Sequence, residues 1–461
     1  MQDNKYGRLL LDMLVFSIGT VLAKAVQFLL MPLYTSFMTT EAYGVAELTN
    51  NLSEFFFPIV TLCIYEAVLR FTIDSHYNKQ EVITISVKML MASSVIGAGV
   101  FFLWNAFFPY EYIQYLFFVL YTYSFRMLLA AYVRGKGYTK VYASSGIINA
   151  VFLAVFSYIF LVTFQWGIRG YLSAIGFAYL ISTVYIFIGG KVAEDLHWNC
   201  KNKSLFKEML DYSSPLILYN MGYWLTVMSG KYILIWKSGA SAAGSYAAVL
   251  KISAMINMFQ QAFFAAFQLN NSREYSSTDR ENYYSNVFNL YAAVILAAGS
   301  VALIASPLIA KITLQKGFYE ARAYLPLILY VAIFDCVFCF YKTMYTTFKL
   351  TRRAIPSMFV GAAINIIVSM VTVAKFGIWG ICFASLLCSL SQTIYRVFDV
   401  NQFVKINCNW KKMGLLLFAI SVQMFMMLQE TRTAWYIALC ISICMMLLSV
   451  DVCLKTYRKI R

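Results

Sequence analysis

The sequence predicts an all-α polytopic membrane protein with about fourteen transmembrane helices. Of the 461 residues, 61% are hydrophobic and only 13% are charged. Long apolar runs also follow one another along the chain, separated by short polar breaks. A soluble chain has about 25% charged residues, whereas a transmembrane helix needs about 20 apolar residues. The composition therefore excludes a soluble enzyme, a secreted disulfide domain and a disordered chain.

The apolar runs give the order of the predicted helices. Each run falls within or above the range of about 17–25 residues that transmembrane helices have, and each break contains charged, glycine or proline residues. The predicted helices are 9–38, 43–71, 82–108, 112–133, 141–164, 168–190, 213–236, 241–268, 286–312, 322–348, 355–374, 377–399, 413–429 and 433–454.

Lysine and arginine are concentrated in alternate breaks. With the N-terminus in the cytoplasm, the inner breaks hold twenty-five basic residues and the outer breaks hold seven. Because cytoplasmic loops are enriched in Lys and Arg, this distribution predicts that both termini and the 191–212 break are cytoplasmic. It also explains the net charge of +16 without nucleic acid as a partner.

Short sequence matches recur in the same order in two halves of the chain. This order predicts two parallel six-helix bundles with a substrate between them, an arrangement used by transporters. We divide the chain into an N-terminal bundle (1–190), a cytoplasmic linker (191–212), a C-terminal bundle (213–400) and two additional helices with a basic tail (401–461). The matched segments are Trp166–Ala174 (WGIRGYLSA) with Phe376–Ala384 (FGIWGICFA), 146–149 with 362–365, and 42–44 with 242–244.

Polar side chains are concentrated in the first two helices of each predicted half. Ionisable groups in a bilayer cost about 2.5–3.5 kcal/mol each, and they mark a pathway or pair with one another. In the first, second and seventh predicted helices, helical spacing places the polar residues on one face. We interpret them as the lining of a hydrated cavity, with closed ion pairs as the alternative. They are Lys24, Gln27, Glu47, Asn51, Glu54, Asn220, Lys231, Lys251 and Asn257.

Further charges lie inside other predicted helices. Asp335 and Lys342 share one face of the tenth helix, where the carboxylate either binds a proton or pairs with a lysine. Arg126 lies in the inner third of the fourth helix, from which its side chain can extend to the interface. The acidic candidates for binding a coupling ion, H⁺ or Na⁺, are Glu47, Glu54 and Asp335.

The motifs of known catalytic and metal sites are absent from the sequence. It contains no P-loop, H-E-x-x-H or G-x-S-x-G motif, and its two histidines, His76 and His197, lie in predicted loops. Cys336 and Cys339 form a C-x-x-C without a second pair. The sequence therefore predicts no catalytic site, metal site or resident cofactor.

The N-terminal stretch Gly19–Leu48 resembles a known family. It contains A-K-A around Lys24, P-L-Y-T at Pro32–Thr35 and E-x-Y-G at Glu41–Gly44, and E-A-x-x-R-F follows at Glu66–Phe71. These motifs resemble the polysaccharide transporter branch of the multidrug/oligosaccharidyl-lipid/polysaccharide superfamily, which comprises bacterial oligosaccharide flippases. The two G-I-x-G turns are also similar to that family.

The resemblance implies a transporter of the bacterial plasma (inner) membrane. Its cargo would be a glycan on undecaprenyl pyrophosphate, moved from the inner to the outer leaflet by alternating access for O-antigen- or capsule-type polysaccharide biosynthesis. Polysaccharide polymerase and assembly proteins are the candidate partners, besides the bilayer itself. Because pyrophosphate is an anion, we expect Lys24, Lys231 and Lys251 to bind it. The polar residues expected around them are Gln27, Asn51, Asn220 and Asn257.

Two other functions fit parts of the sequence. A drug or metabolite exporter of the same superfamily prefers cationic cargo, so its cavity should be net acidic; here three deep lysines outnumber Glu47 and Glu54. A membrane-embedded glycan polymerase or ligase needs catalytic groups on a sizeable outer loop. The predicted outer loops are only a few residues long, apart from the one at 311–322.

The predicted topology can be tested by cysteine labelling in intact cells. In a cysteine-free background, a membrane-impermeant thiol reagent should modify a cysteine at Thr39 but not one restored at Cys200, because the first is predicted outside and the second inside. Labelling after permeabilisation is the control that both thiols are reactive. Modification of position 200 in intact cells would contradict the fourteen-helix topology.

Overall fold

The protein is all-helical in the part that its computed structural model describes, namely residues 26, 28–200, 202–274, 280–348, 350–407 and 410–460. Ten helices in these ranges are long and apolar enough to cross a membrane, or eleven if one bent pair forms a single span. Hydrocarbon cannot satisfy backbone polar groups, so spanning segments must satisfy them internally, as helices do. The chain is therefore a multi-pass membrane protein.

The chain divides into two compact units. Unit 1 contains Ala42–Leu225 and the described residues up to Met38, and unit 2 contains Thr39–Glu41 and Thr226–Arg461. The division at Leu225 falls inside a long helix. The four-part division proposed from the sequence stays a prediction.

The helices of the first unit follow the predicted order. They are α1 (Met31–Phe37), α2 (Thr40–Val60), α3 (Ile64–Ile73), α4 (Lys79–Phe107), α5 (Ile113–Gly135), α6 (Thr139–Tyr158, continued by a π-helical turn, Ile159–Thr163), α7 (Gly167–Gly189), α8 (Val192–Asp195) and the first part of α9 (Lys203–Glu274).

The second unit begins with the remainder of α9. Its other elements are α10 (Arg280–Thr313), a 3₁₀ segment (Lys316–Tyr324), α11 (Leu325–Thr347), α12 (Thr351–Phe376), α13 (Ile378–Val400), α14 (Trp410–Leu428) and α15 (Arg432–Ile460).

Eleven of the fourteen predicted spans correspond to the candidate spans of the structure. The first predicted helix, 9–38, lies mostly outside the described residues. The seventh and eighth, 213–236 and 241–268, both lie in α9. The count of fourteen and the six-helix repeat therefore stay predictions.

The second predicted helix, 43–71, is not continuous as the sequence suggested. It consists of α2 and α3, which meet at an angle of 56°. Pro58 lacks the N–H of a regular helical hydrogen bond, and Leu62 and Cys63 adopt positive φ angles of 48° and 52°. The Thr61 hydroxyl donates to the Phe57 carbonyl at 2.6 Å, which satisfies one backbone acceptor beside the break.

A glycine separates the two predicted helices within α9. Gly239 has φ 85° and ψ 172°, a conformation outside the helical region. Glycine adopts positive φ without the steric cost that a side chain imposes. The polar break predicted at 237–240 is therefore present as a local interruption of α9.

The repeated G-I-x-G motif forms the same kind of turn in both units. Its first glycine, Gly167 in one unit and Gly377 in the other, has φ of 55° and 52°. Its second glycine lies against the preceding helix: a Cβ on Gly170 would lie 3.1 Å from the Phe160 carbonyl oxygen, and one on Gly380 would lie 2.6 Å from the Thr372 carbonyl carbon. Both glycines allow close helix packing.

The two additional C-terminal helices are joined to α10 by a buried polar cluster. The Ser300 hydroxyl lies 2.7 Å from Gln423 Oε1 on α14 and 3.0 Å from Ser442 Oγ on α15. The Gln423 amide donates to the Ser300 carbonyl at 3.0 Å. Such hydrogen bonds hold helices together where apolar surface alone gives little preference over lipid.

Ion pairs lie at both ends of the helices of unit 1. Lys136 pairs with Asp195 at the end where α5 and α7 finish. At the other end, where both helices begin, Arg169 lies 3.0 Å from Glu111. The distribution of basic residues predicts Lys136 on the inner side and Arg169 on the outer side, and which end faces the cytoplasm stays a prediction.

The close approach at Gly380 predicts that alanine destabilises the protein more at this position than at Gly414. Gly380→Ala should destabilise the protein by roughly 1–3 kcal/mol, because the added methyl group meets backbone that cannot rotate away. The matched variant Gly414→Ala lies in α14, where a Cβ would meet nothing within 4 Å. It should leave stability equal or raise it by up to about 1 kcal/mol. Thermal unfolding in detergent compares the two; equal effects would contradict the tight α12–α13 packing.

Candidate functional site

Glu47 is a buried carboxyl group enclosed by aromatic residues of unit 1. Its side chain is only 5% exposed, and the Tyr171 hydroxyl of α7 donates to its Oε1. The Tyr171 ring lies edge-on to Tyr34 and Tyr43, with centroids 5.0 and 5.8 Å away. The Tyr34 hydroxyl lies 3.1 Å from Ser157 Oγ on α6. Four helices therefore hold this carboxyl group in place.

A second polar surface of unit 1 carries charges at the level of the membrane spans. Glu54 on α2 is exposed, and Tyr123 on α5 packs against Tyr179 on α7 with ring centroids 5.1 Å apart. Arg126 lies one turn beyond Tyr123. Glu54 and Arg126 both interact electrostatically with Tyr123, and we call Glu54, Tyr123, Arg126 and Tyr179 the charged face of unit 1. Because a bilayer strongly disfavours exposed charges, this face is expected to be hydrated.

Arg126 belongs to this face, although its place in the sequence suggested only a side chain reaching for the interface. The Arg126 Nε donates to Ser182 Oγ at 3.1 Å, and the guanidinium lies 5.8 Å from the centre of the Tyr179 ring. The side chain is thus directed toward α7. An arginine in the middle of an apolar run was the only sequence signal for this residue.

The two asparagines predicted in unit 1 take part in local packing. Asn51 is 6% exposed, and its backbone carbonyl oxygen accepts a hydrogen bond from Trp224 Nε1 at 3.2 Å. The Asn220 amide donates to the Leu216 carbonyl at 3.0 Å and lies 3.4 Å from Cys63 Sγ at the α2–α3 bend. These contacts anchor the start of α9 to α2.

In unit 2, Asp335 is an exposed carboxylate within the span formed by α11. Ser389 on α13 forms a hydrogen bond with it, and Arg396 and Lys342 are the cations that interact with it electrostatically. An exposed carboxylate at this depth is expected to contact water rather than lipid. Its role in binding a coupling ion stays a prediction.

Arg396 is held by two neutral oxygen atoms. Its Nε donates to Ser357 Oγ on α12 at 3.2 Å, and its Nη2 donates to Gln392 Oε1, one turn earlier on α13, at 2.6 Å. One turn further along, Asp399 pairs with Arg353 at 2.8 Å. A row of polar groups thus extends along α13 from Ser389 to Asp399.

The C-x-x-C pair packs against α9. Cys336 Sγ donates to Asn257 Oδ1 and Gln260 Oε1, at 3.2 Å in each case. Asn257, predicted as a cavity residue, therefore has a partner within unit 2. Over the described ranges, no group of three or more His, Cys, Asp or Glu side chains is placed to hold a metal ion.

The predicted lysines are described only in part. Lys231 and Lys251 are partly buried on the second part of α9. Lys24 and Gln27 lie outside the described residues. The joint action of the three lysines on one ligand therefore stays a prediction.

Two cavities in the described structure lie at helix ends and contain none of the predicted site residues. The cavity of unit 1 measures about 210 Å³ and that of unit 2 about 340 Å³. The first is lined by Arg70, Phe71, Asp74, Tyr77, Glu208 and Tyr212. The second includes Ser306, Tyr319, Arg322, Glu430 and Trp435.

Asp74 lies beside the unit 1 cavity, in the turn after α3. The His76 backbone N–H donates to its carboxylate at 3.0 Å, and the His76 ring nitrogen lies 2.7 Å from the same oxygen. These hydrogen bonds lower the pKa of Asp74 below its usual value. The carboxylate is therefore ionised at neutral pH.

The fold defines a class of protein, a multi-pass membrane protein that carries ionisable groups within its spans. A model of the polysaccharide biosynthesis protein family matches residues 9–267, more than half of the chain. The chain therefore belongs to this family, which confirms the resemblance of the N-terminal motifs. Comparison with curated proteins finds no match in sequence.

Solved structures share the fold at low sequence identity. A lipid II flippase, MurJ, in an inward closed conformation has a TM-score of 0.73 and 13% identity, covering 97% of this chain and 99% of that one. An inward-facing multidrug resistance MATE transporter of the MOP superfamily has a TM-score of 0.56 and 12% identity, covering 83% and 98%. A MOP superfamily transporter from Pyrococcus furiosus has a TM-score of 0.55 and 14% identity, covering 85% and 95%.

Proposed function

We propose that the protein is a flippase for a lipid-linked oligosaccharide. It moves an undecaprenyl-pyrophosphate glycan from the inner to the outer leaflet of the bacterial plasma membrane by alternating access, for polysaccharides of the O-antigen or capsule type. The main support is the set of basic residues within the spans of a polysaccharide biosynthesis family member whose fold resembles that of a lipid II flippase.

The basic residues suit the anionic part of this cargo. Lys231 and Lys251 are partly buried in α9, and Lys24 lies mid-span in the sequence. A lysine ammonium binds phosphate as a point charge, and a bound anion or water lowers the cost of keeping it charged within the bilayer. We assign the pyrophosphate to these three lysines, with Gln27, Asn51, Asn220 and Asn257 as polar neighbours.

Acidic residues are assigned to ion coupling. Asp335 is exposed and hydrogen-bonded to Ser389, so it can exchange H⁺ or Na⁺ with water. Glu54 is also exposed, whereas Glu47 is enclosed and hydrogen-bonded to Tyr171. A carboxyl group that alternates between such surroundings binds and releases an ion as the protein changes conformation.

A role in polysaccharide biosynthesis implies that other proteins act on the same cargo. We propose that polysaccharide polymerase and assembly proteins receive the cargo in the outer leaflet. We also propose that both termini are cytoplasmic and that the protein acts without a catalytic site of its own.

An exporter of drugs or metabolites is the second candidate function, since MATE transporters share the fold. Its cationic cargo would be repelled by Lys231 and Lys251.

Substitution of Lys24 tests the cargo assignment. Lys24→Ala should reduce glycan export at least about tenfold, because it removes one charge-assisted contact that contributes about 1.4 kcal/mol or more. Lys24→Glu should export less than Lys24→Ala because it repels the anion, and Lys24→Arg should export more. Surface polysaccharide in a deletion strain is the measurement.

The matched control is Lys237→Ala, which removes an exposed lysine beside Trp236 on α9 and should export normally. Normal export by Lys24→Ala would show that the lysine does not bind the cargo. Rescue of Lys24→Glu by Glu54→Lys would show a structural ion pair instead of an anion site.

Neutralising the three carboxyl groups tests ion coupling. The variant Glu47→Gln/Glu54→Gln/Asp335→Asn should lose the dependence of transport on a proton or sodium gradient. Transport into vesicles with and without an imposed gradient is the measurement, and immunoblotting controls for the amount inserted. An unchanged gradient dependence would show that the driving force acts elsewhere, for example through the membrane potential on the anionic cargo.

A further inference from the structure

Arg126 lies deep within a span of unit 1 and is held there by another helix. It lies nine residues before Gly135, about 14 Å of helical rise from the end of α5. Its Nε donates to Ser182 Oγ at 3.1 Å. The Ser182 hydroxyl in turn donates to the Ser145 carbonyl at 3.0 Å. The serine therefore has a fixed orientation, in which its lone pair faces the arginine.

This anchoring uses only one edge of the guanidinium group. An arginine has five N–H donors, and the Nε–H is taken by Ser182. Over the described residues, the Nη atoms of Arg126 form no hydrogen bond, and its guanidinium forms no ion pair with a carboxylate. Four donors thus remain on the Nη side of a guanidinium that lies 5.8 Å from the centre of the Tyr179 ring, against which Tyr123 packs.

Arg396 in unit 2 shows how the same arrangement looks when the Nη edge is occupied. Its Nε also donates to a serine, Ser357, at 3.2 Å. Its Nη2 donates to Gln392 Oε1, four residues earlier on the same helix. Four residues before Arg126 the chain has Thr122 instead, whose hydroxyl donates to the Phe118 carbonyl at 2.7 Å. Arg126 therefore lacks the internal acceptor that Arg396 has.

An arginine with an anchored Nε and an unoccupied Nη edge is oriented for an external oxyanion. A planar guanidinium binds a carboxylate or a phosphate through two parallel hydrogen bonds. The adjacent tyrosines offer ring surfaces with polar hydroxyl tips, which suit an amphipathic ligand such as a sugar. A charged group of this kind within a bilayer marks a pathway when it has no internal partner.

We propose that the Nη edge of Arg126 binds an oxyanion of the transported glycan, flanked by Tyr123 and Tyr179. The ligand chemistry is a carboxylate of an acidic sugar or a phosphate group. The identity of the cargo rests on the proposed flippase function, whereas the oxyanion site itself depends only on the geometry of unit 1.

The local preference for anions can be measured without transport. A single cysteine, Tyr179→Cys, is introduced into the cysteine-free protein in nanodiscs and reacted with negatively and positively charged methanethiosulfonates. We compare the rate of thiol modification by the negatively charged reagent with the rate for the positively charged one. Removing one positive charge about 6 Å away should lower the ratio of the first rate to the second at least about threefold. Arg126→Gln should show this drop, and Arg126→Lys should largely prevent it.

Two further variants separate the open Nη edge from the charge itself. Thr122→Gln should leave the rate ratio close to that of the parent protein, because the arginine keeps its charge, but it should weaken protection by an added oxyanion, because it supplies the acceptor that Gln392 gives Arg396. Arg169→Gln, in the exposed pair with Glu111 at the start of α7, should leave the ratio unchanged. An unreactive thiol, or equal ratios with and without Arg126, would overturn the proposal.

Protection of the thiol identifies the oxyanion. Methyl glucuronide should slow the thiol reaction if the natural ligand is a carboxylated sugar. Inorganic pyrophosphate should slow it if the natural ligand is a phosphate. Methyl glucoside, the uncharged counterpart of the glucuronide, should give no protection. Protection that persists in Arg126→Gln, or no protection by either anion, would contradict the site. An intact site in a protein that moves no lipid-linked glycan would leave this inference standing and refute the flippase function.

Discussion

The requirement that backbone polar groups be satisfied inside the bilayer determines most of this structure. It makes every described spanning segment a helix and confines irregular backbone to a few places. Two of these places are the break at Leu62 and Cys63, where Thr61 satisfies a carbonyl, and the glycine at position 239. The G-I-x-G turns use glycine both for a positive φ and for close packing of the next helix. Small residues thus set the geometry in which the polar side chains lie.

The same requirement applies to side chains, and it separates structural polar groups from candidate functional ones. Gln423, Ser300 and Ser442 form hydrogen bonds with one another within unit 2, which identifies them as contacts that hold the additional helices. Glu47 has the Tyr171 hydroxyl, and Arg396 has Ser357 and Gln392. Asp335 is exposed, and Arg126 keeps an unoccupied Nη edge within the described structure. The last two groups are where ligands or ions would complete the hydrogen bonding.

The order and extent of the helices were predictable because each long apolar run directly indicates one span. The bend after Val60 was missed because it arises at Leu62 and Cys63, whose apolar character continues the run. The role of Arg126 was missed for a different reason: it depends on Ser182, 56 residues away, and on the rotation of α5 against α7. Helical periodicity gives the face of a residue on its own helix, but it does not give the partner on another helix. Lys24 and Gln27 remain sequence predictions.

The proposed cargo is a lipid whose pyrophosphate is anionic. The most direct test uses the purified protein reconstituted in proteoliposomes. It measures how fast an undecaprenyl-pyrophosphate glycan moves from one leaflet to the other, and the same glycan on an uncharged polyprenol serves as the comparison. The account predicts that the pyrophosphate-linked glycan reaches the opposite leaflet much faster than in protein-free liposomes, and that the uncharged lipid does not. Equal rates for both lipids would contradict recognition through the basic residues, and no acceleration of either lipid would contradict the flippase function itself.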